Sequence, residues 1–198
     1  KALDDAQACA VHQARHQPAR PLQLREQARD LVAREHDRQA WRPRRAHEPL
    51  DAAPERVWAL ASDIQVIAES SGELQRVEWV DGCDKPCVGA RFTGYNKHPA
   101  IGEWSTVSEI VEYEPGHVMG WAVGNAQNPA ARWRFRLGPE GTGCRLTQWA
   151  QMGPAPSGLS MAIASMPDKE QKIVHNRLCE FESGMLATLA YIKNKAER

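Results

Sequence analysis

Towards the end of the chain Val174, Leu178, Phe181, Met185, Leu189 and Ile192 recur at intervals of three and four, which lines them along one face of a helix. Lys172, Glu180, Glu182 and Lys193 fall elsewhere around the wheel, so one side is wet and the other needs a partner. The pattern predicts a helix from Pro167 towards Arg198. Between Asp168 and Lys195 it would be about 42 Å long at ~1.5 Å rise per residue, enough to cross a small domain. Asp168 is expected to cap it or to sit in its first turn, and Lys193 and Lys195 suit the negative end of its dipole. Gly184 opposes helix propensity, so it marks either local tolerance or a bend over whatever the helix covers.

Upstream the period changes from helical to alternating. Arg132-Trp133-Arg134-Phe135-Arg136-Leu137 puts three arginines on one face of a strand and Trp, Phe and Leu on the other. Further β-rich runs cover 74–80, 88–96, 103–113, 117–123 and 144–151. They are punctuated by Asp81-Gly82, Glu114-Pro115-Gly116, Gly124-Asn125 and the glycine-rich 138–143. Two short helices precede them, one with Pro54 in its first turn and Asp51 as its cap, the other over 64–69. Residues 152–167 read as a loop that packs partly inside or acts as a lid. Strands joined by short turns form an antiparallel meander with one wet and one dry face, and the terminal helix is the one apolar surface long enough to cover the dry face.

Composition narrows the possibilities. A chain of 198 residues, 42% hydrophobic, fits one domain with an appendage. Its 25 basic and 25 acidic side chains cancel, so no general attraction to nucleic acid or to an anionic membrane is expected. No apolar window is long enough to span a bilayer, and a cytoplasmic protein without stable membrane insertion, monomeric or homodimeric, is expected. The five scattered cysteines argue against a disulfide framework.

Residues 1–47 differ from the rest, being rich in Arg, Ala, Gln and His, with Trp41 their only aromatic residue. They are expected to be a poorly structured or weakly helical extension, with a short helix around Leu22 to Val32, ahead of a domain over 48–198. The unusual composition, and a first residue that is Lys rather than Met, suggest a wrong start or a frameshifted reading of this segment.

Ala53-Pro54-Glu55-Arg56-Val57-Trp58, Val88-Gly89-Ala90-Arg91-Phe92 with Asn96, Glu112-Tyr113-Glu114-Pro115-Gly116, and Gly141-Thr142-Gly143-Cys144-Arg145-Leu146-Thr147 stand in sequence order. Together they resemble the signposts of the START-like (SRPBCC) superfamily of polyketide cyclases/dehydrases, pathogenesis-related allergens and lipid-transport domains. The resemblance implies an α+β helix-grip fold, a curved antiparallel β-sheet wrapped around a long C-terminal α-helix with a hydrophobic cavity between them. It implies a shared container rather than a shared chemistry. Superfamily members begin with a strand before the first helix. Here Arg44-Arg45-Ala46-His47-Glu48-Pro49-Leu50 has a proline and few β-formers, so that strand is expected to be damaged or missing.

The candidate cavity lining is Trp79, Phe92, Asn96, Trp104, Trp121, Trp133, Phe135, Gln148, Phe181 and Met185. For the aromatic residues the plain alternative is core packing, and for Asn96 and Gln148 it is a solvent-facing or turn role. No catalytic residue is assigned. His98 is either a base at the cavity mouth or a loop histidine. Cys83 and Cys87 lack the further ligands that a zinc site requires, and neither a metal nor a cofactor is expected. The expected ligand is a small hydrophobic molecule, a lipid, polyketide or aromatic metabolite. An enzyme of cyclase or dehydratase type and a protein-interaction module are the alternatives.

Overall fold

The structure is a computed structural model that describes residues 43–198. The short helix expected near Leu22 to Val32 lies outside the described residues. Seven strands form one antiparallel sheet: β1 (Arg44–Leu50), β2 (Leu74–Trp79), β3 (Arg91–His98), β4 (Gly102–Glu114), β5 (Val118–Asn125), β6 (Asn128–Glu140) and β7 (Gly143–Met152). Their order across the sheet is β1-β7-β6-β5-β4-β3-β2, a meander from β2 to β7 with β1 added at the far edge. The sheet curls into a half-barrel. Register shifts at Leu74/Arg76, Ile110/Glu112 and Val123/Gly124 bend the strands, as bulges do.

Four helices complete the domain: α1 (Pro54–Ala61), α2 (Ile64–Ser70), α3 (Gly158–Ser165) and α4 (Glu170–Ala196). The helix-grip arrangement expected from the pattern is present, with α4 lying across the concave face. At 27 residues α4 is about 40 Å long. Its last turns are tied down on both sides. Lys193 Nζ reaches Glu48 Oε1 at 2.9 Å, and Lys195 Nζ reaches Glu69 Oε2 at 2.7 Å.

Several local expectations are corrected. The first strand is intact: β1 pairs with β7 along its whole length, from Arg44↔Ala150 to Leu50↔Cys144. Pro49 is tolerated because an edge strand has a ladder on one side only. Asp51 does not cap α1; Ala53 holds that position, and the Asp51 backbone N–H donates to Glu197 Oε1 at 2.9 Å instead. Asp168 does not cap α4; of the two expected places it takes the first-turn one, in the 3₁₀ segment Pro167–Lys169 that leads into α4. The expected loop over 152–167 contains α3, closed by a reciprocal capping box between Ser157 and Ser160. At Gly184 an added Cβ meets nothing within 4 Å, so the plain account, local tolerance, holds there.

The apolar interior is divided. The larger cluster joins Val57, Trp58, Ile64 and Ile67 of α1 and α2 to Met185, Leu189 and Ile192 of α4 and to inward residues of the sheet. The smaller one joins Met152, Ile163, Val174 and Leu178 beneath α3. Phe181 packs against both.

Candidate functional site

Strand alternation and register together place the inward side chains in rows across the concave face. One row runs Trp79, Phe92, Ser108, Val123, Ala131, Met152. A second runs Arg44, Ala150, Trp133, Trp121, Ile110, and a third Ala46, Gln148, Phe135, Met119, Tyr113. Where these rows carry rings, the rings touch. Trp79 meets Phe92 edge-on at 5.8 Å between centroids, and Phe92 meets Trp121 at 6.4 Å. Trp121 meets Phe135 at 5.9 Å and stacks on Trp133 at 6.4 Å with 12° between planes. Trp133 reaches across to Phe181 of α4 at 4.7 Å.

Six of the ten candidate residues therefore form one continuous aromatic series. Burial separates these six, and Met185 with them, into two kinds. Phe92, Trp121, Phe135 and Met185 are buried and belong to the larger cluster, so packing accounts for them. Trp79, Trp133 and Phe181 point inward yet stay half-buried. Trp133 packs against the larger apolar cluster and Phe181 against both, so the two rings meet where the clusters adjoin. Gln148 is 3% exposed, and its Oε1 has no hydrogen-bond partner among the described residues. Asn96 and Trp104 are half-buried cross-strand neighbours on β3 and β4. Asn96 turns back to donate to the Gly94 carbonyl at 3.2 Å, and no ring contact among the described residues joins Trp104 to the series.

A charged clasp ties α4 to the segment just ahead of β2. Arg177 donates to both carboxylate oxygens of Glu73 at 2.6 and 2.7 Å and to Glu180 at 2.9 Å, and its guanidinium lies 4.7 Å from the Phe181 ring. Burial opposes the Arg177 charge. The bonds from Glu73, supported by Glu180, outweigh that and raise its pKa above the ordinary arginine value. His98 Nε2 lies 3.5 Å from Glu180 Oε1, and its Nδ1 accepts the Ala100 N–H at 3.2 Å, so it belongs to the clasp.

The convex face is polar. A groove of about 710 Å³ there is lined by residues including Glu112, His117, Arg136, Glu140, Arg145 and Thr147. Its charges largely satisfy one another, Arg134 with Glu112 at 2.8 Å and Arg145 with Glu140. Trp149 also faces outward, 5.3 Å from the Arg134 guanidinium. Among the described residues no three His, Cys, Asp or Glu side chains are grouped to hold a metal ion, and Cys83 and Cys87 are free thiols.

A family model described as polyketide cyclase / dehydrase and lipid transport matches residues 45–170, from within β1 to the start of α4. The chain belongs to the polyketide cyclase/dehydrase and lipid transport family. A polyketide-cyclase-like protein from Corynebacterium glutamicum is 28% identical, over 76% of this chain and 88% of its own, with a TM-score of 0.56. The di-domain ARO/CYC of the steffimycin biosynthetic pathway shares the fold at 14% identity and a TM-score of 0.63, over 92% of this chain and 62% of its own. So does a protein from Deinococcus radiodurans, at 15% identity and a TM-score of 0.53, over 79% and 98% of the two chains. No curated protein matches the chain. Membership of the polyketide cyclase/dehydrase and lipid transport family fixes the fold and leaves the chemistry to the side chains. Among the described residues no helix is long and apolar enough to cross a membrane.

Arg44 is absent from the residues expected from the sequence: it shares the inward face of β1 with Ala46 and Leu50, on a strand expected to be damaged or missing.

Proposed function

We propose that this chain binds a small hydrophobic molecule, such as a lipid, a polyketide or an aromatic metabolite, in a recess between the sheet and α4. The observation that carries the reading is the half-buried pair Trp133 and Phe181, which meet at 4.7 Å where the two apolar clusters adjoin. A guest seated there exchanges ring–water contact for ring–ligand contact at ~25 cal/mol per Å² of apolar area buried. Trp79 extends the wall, with Phe92 and Trp121 packed behind it, and Gln148 supplies a polar group to orient the guest.

The same recess serves a cyclase or dehydratase only if a proton-transfer group lines it. Of the ten candidate lining residues only Asn96 and Gln148 are polar and neither is ionisable, which favours a binder over an enzyme. Native mass spectrometry of the protein purified under non-denaturing conditions, followed by solvent extraction, tests the reading. A discrete mass excess that is apolar on extraction supports it. A bare mass that also stays bare after incubation with a lipid and aromatic panel opposes it.

A further inference from the structure

Two polar atoms buried in the concave face have no hydrogen-bond partner among the described residues: Nε of Arg44 on β1 and Oε1 of Gln148 on β7. They are neighbours. Arg44 stands opposite Ala150 and Gln148 opposite Ala46, so the two long side chains occupy diagonal positions on adjacent strands. Such positions are about 7–8 Å apart, within reach of long side chains. The other two corners are alanines, and Ala150 is in turn the cross-strand neighbour of Trp133. Small corners leave the space above them to the guanidinium, the amide and the edge of the indole.

The charge balance points the same way. Arginine is always a cation, and Arg44, half-buried, has no carboxylate partner among the described residues. The one acid on its face of β1, Glu48, is already held by Lys193 at 2.9 Å. An uncompensated charge beside an unpaired buried amide oxygen is costly; a carboxylate entering the recess pairs with the guanidinium, and the amide, turned to present its NH₂, donates to the same group.

We propose that Arg44 and Gln148 form the polar end of the recess and bind the carboxylate of an amphiphilic carboxylic acid whose apolar body lies on Trp133 and Phe181. The inference rests on the recess being the ligand site. The guanidinium offers a planar fork of N–H donors matched to two carboxylate oxygens. A half-turn of the Gln148 amide presents its NH₂ to the same group. A neutral ester satisfies the apolar wall and leaves the fork unpaired.

Calorimetric titration of the whole chain with 2-naphthoic acid and with methyl 2-naphthoate at neutral pH tests this. The acid is expected to bind at least tenfold more tightly than the ester. Arg44→Met is expected to remove that preference while leaving ester affinity within about twofold, and Arg44→Lys to retain part of it. Equal binding of acid and ester by the unmodified chain, or an undiminished preference in Arg44→Met, overturns the carboxylate anchor and leaves the recess standing. Binding of neither probe overturns both. Should Arg44→Met fail to fold by circular dichroism, the acid-to-ester ratio of the unmodified chain and its loss in Gln148→Leu decide the matter.

Discussion

Trp133 on β6 and Phe181 on α4 meet with ring centroids 4.7 Å apart and 47° between planes, where the sheet touches the helix and two apolar clusters adjoin. Half-burial at such a junction means that part of each ring face is left without a protein partner. Replacing Phe181 by Ala is therefore expected to cost about 2 kcal/mol, below the ~3–5 kcal/mol of a fully buried Phe, and to weaken ligand binding more than tenfold. Met185→Ala is the converse control. Met185 is 1% exposed within the larger cluster, so its loss is expected to cost about 3 kcal/mol while sparing affinity. Urea denaturation and ligand titration of the two variants read both effects.

The Glu73–Arg177 clasp is a second point of leverage. Arg177 has only 14% of its side chain exposed, and removing Glu73 strands a largely buried cation with Glu180 alone. Glu73→Ala is expected to destabilise the fold by about 2–3 kcal/mol, more than Arg177→Met does, because the second change removes the charge as well as the bond. The reverse ranking in urea melts would contradict this account of the clasp.

Gly143 tests the first strand. A Cβ at that position falls 2.2 Å from the Leu50 carbonyl oxygen, a backbone atom that cannot swing aside. Gly143→Ala is expected to cost about 1–3 kcal/mol and to raise amide exchange along β1 and β7. Unchanged stability would mean that β1 does not dock where Leu50 and Cys144 pair.

Acid should weaken the fold in a defined window. The carboxyl of Glu69 is held below the ordinary 4.5 by hydrogen bonds from Lys195 and Tyr191, that of Glu103 by Lys97 and that of Glu140 by Arg145. A carboxyl whose folded pKa is depressed binds protons more weakly when folded. Its stabilising contribution is complete above the unfolded value, about 4.5, and disappears as pH falls through the folded value. The urea midpoint is expected to decline on acidification below that point, with a shallower decline in Glu69→Gln and a smaller effect at high salt, because these groups are exposed.

Much of this architecture was legible because burial imposes a period. Arg132 to Leu137 alternates since β6 has one wet face, and Val174 to Ile192 steps by threes and fours since α4 covers the other. The first strand escaped notice because an edge strand tolerates Pro49 and, at seven residues, carries only Ala46 and Leu50 as buried apolar positions. Helix α3 was hidden for a related reason: Ser157 and Ser160 cap each other reciprocally, without the Glu or Gln that marks the usual box. Inward tryptophans follow from alternation within a strand. Which of them keep solvent contact depends on where two clusters stop, and the pairing of Arg44 with Gln148 depends on a register linking residues about a hundred positions apart. Neither is local information.

The central claim is that a guest lies against Trp133 and Phe181 on the concave face. Indole N–H resonances read it directly, since Trp121 and Trp133 face inward and Trp149 faces outward beside Arg134. On titration with 2-naphthoic acid, the indole signals of Trp133 and Trp121 are expected to shift in a saturable way while that of Trp149 stays in place. Saturable movement of Trp149 with Trp133 and Trp121 unmoved would put the ligand on the wrong side of the sheet.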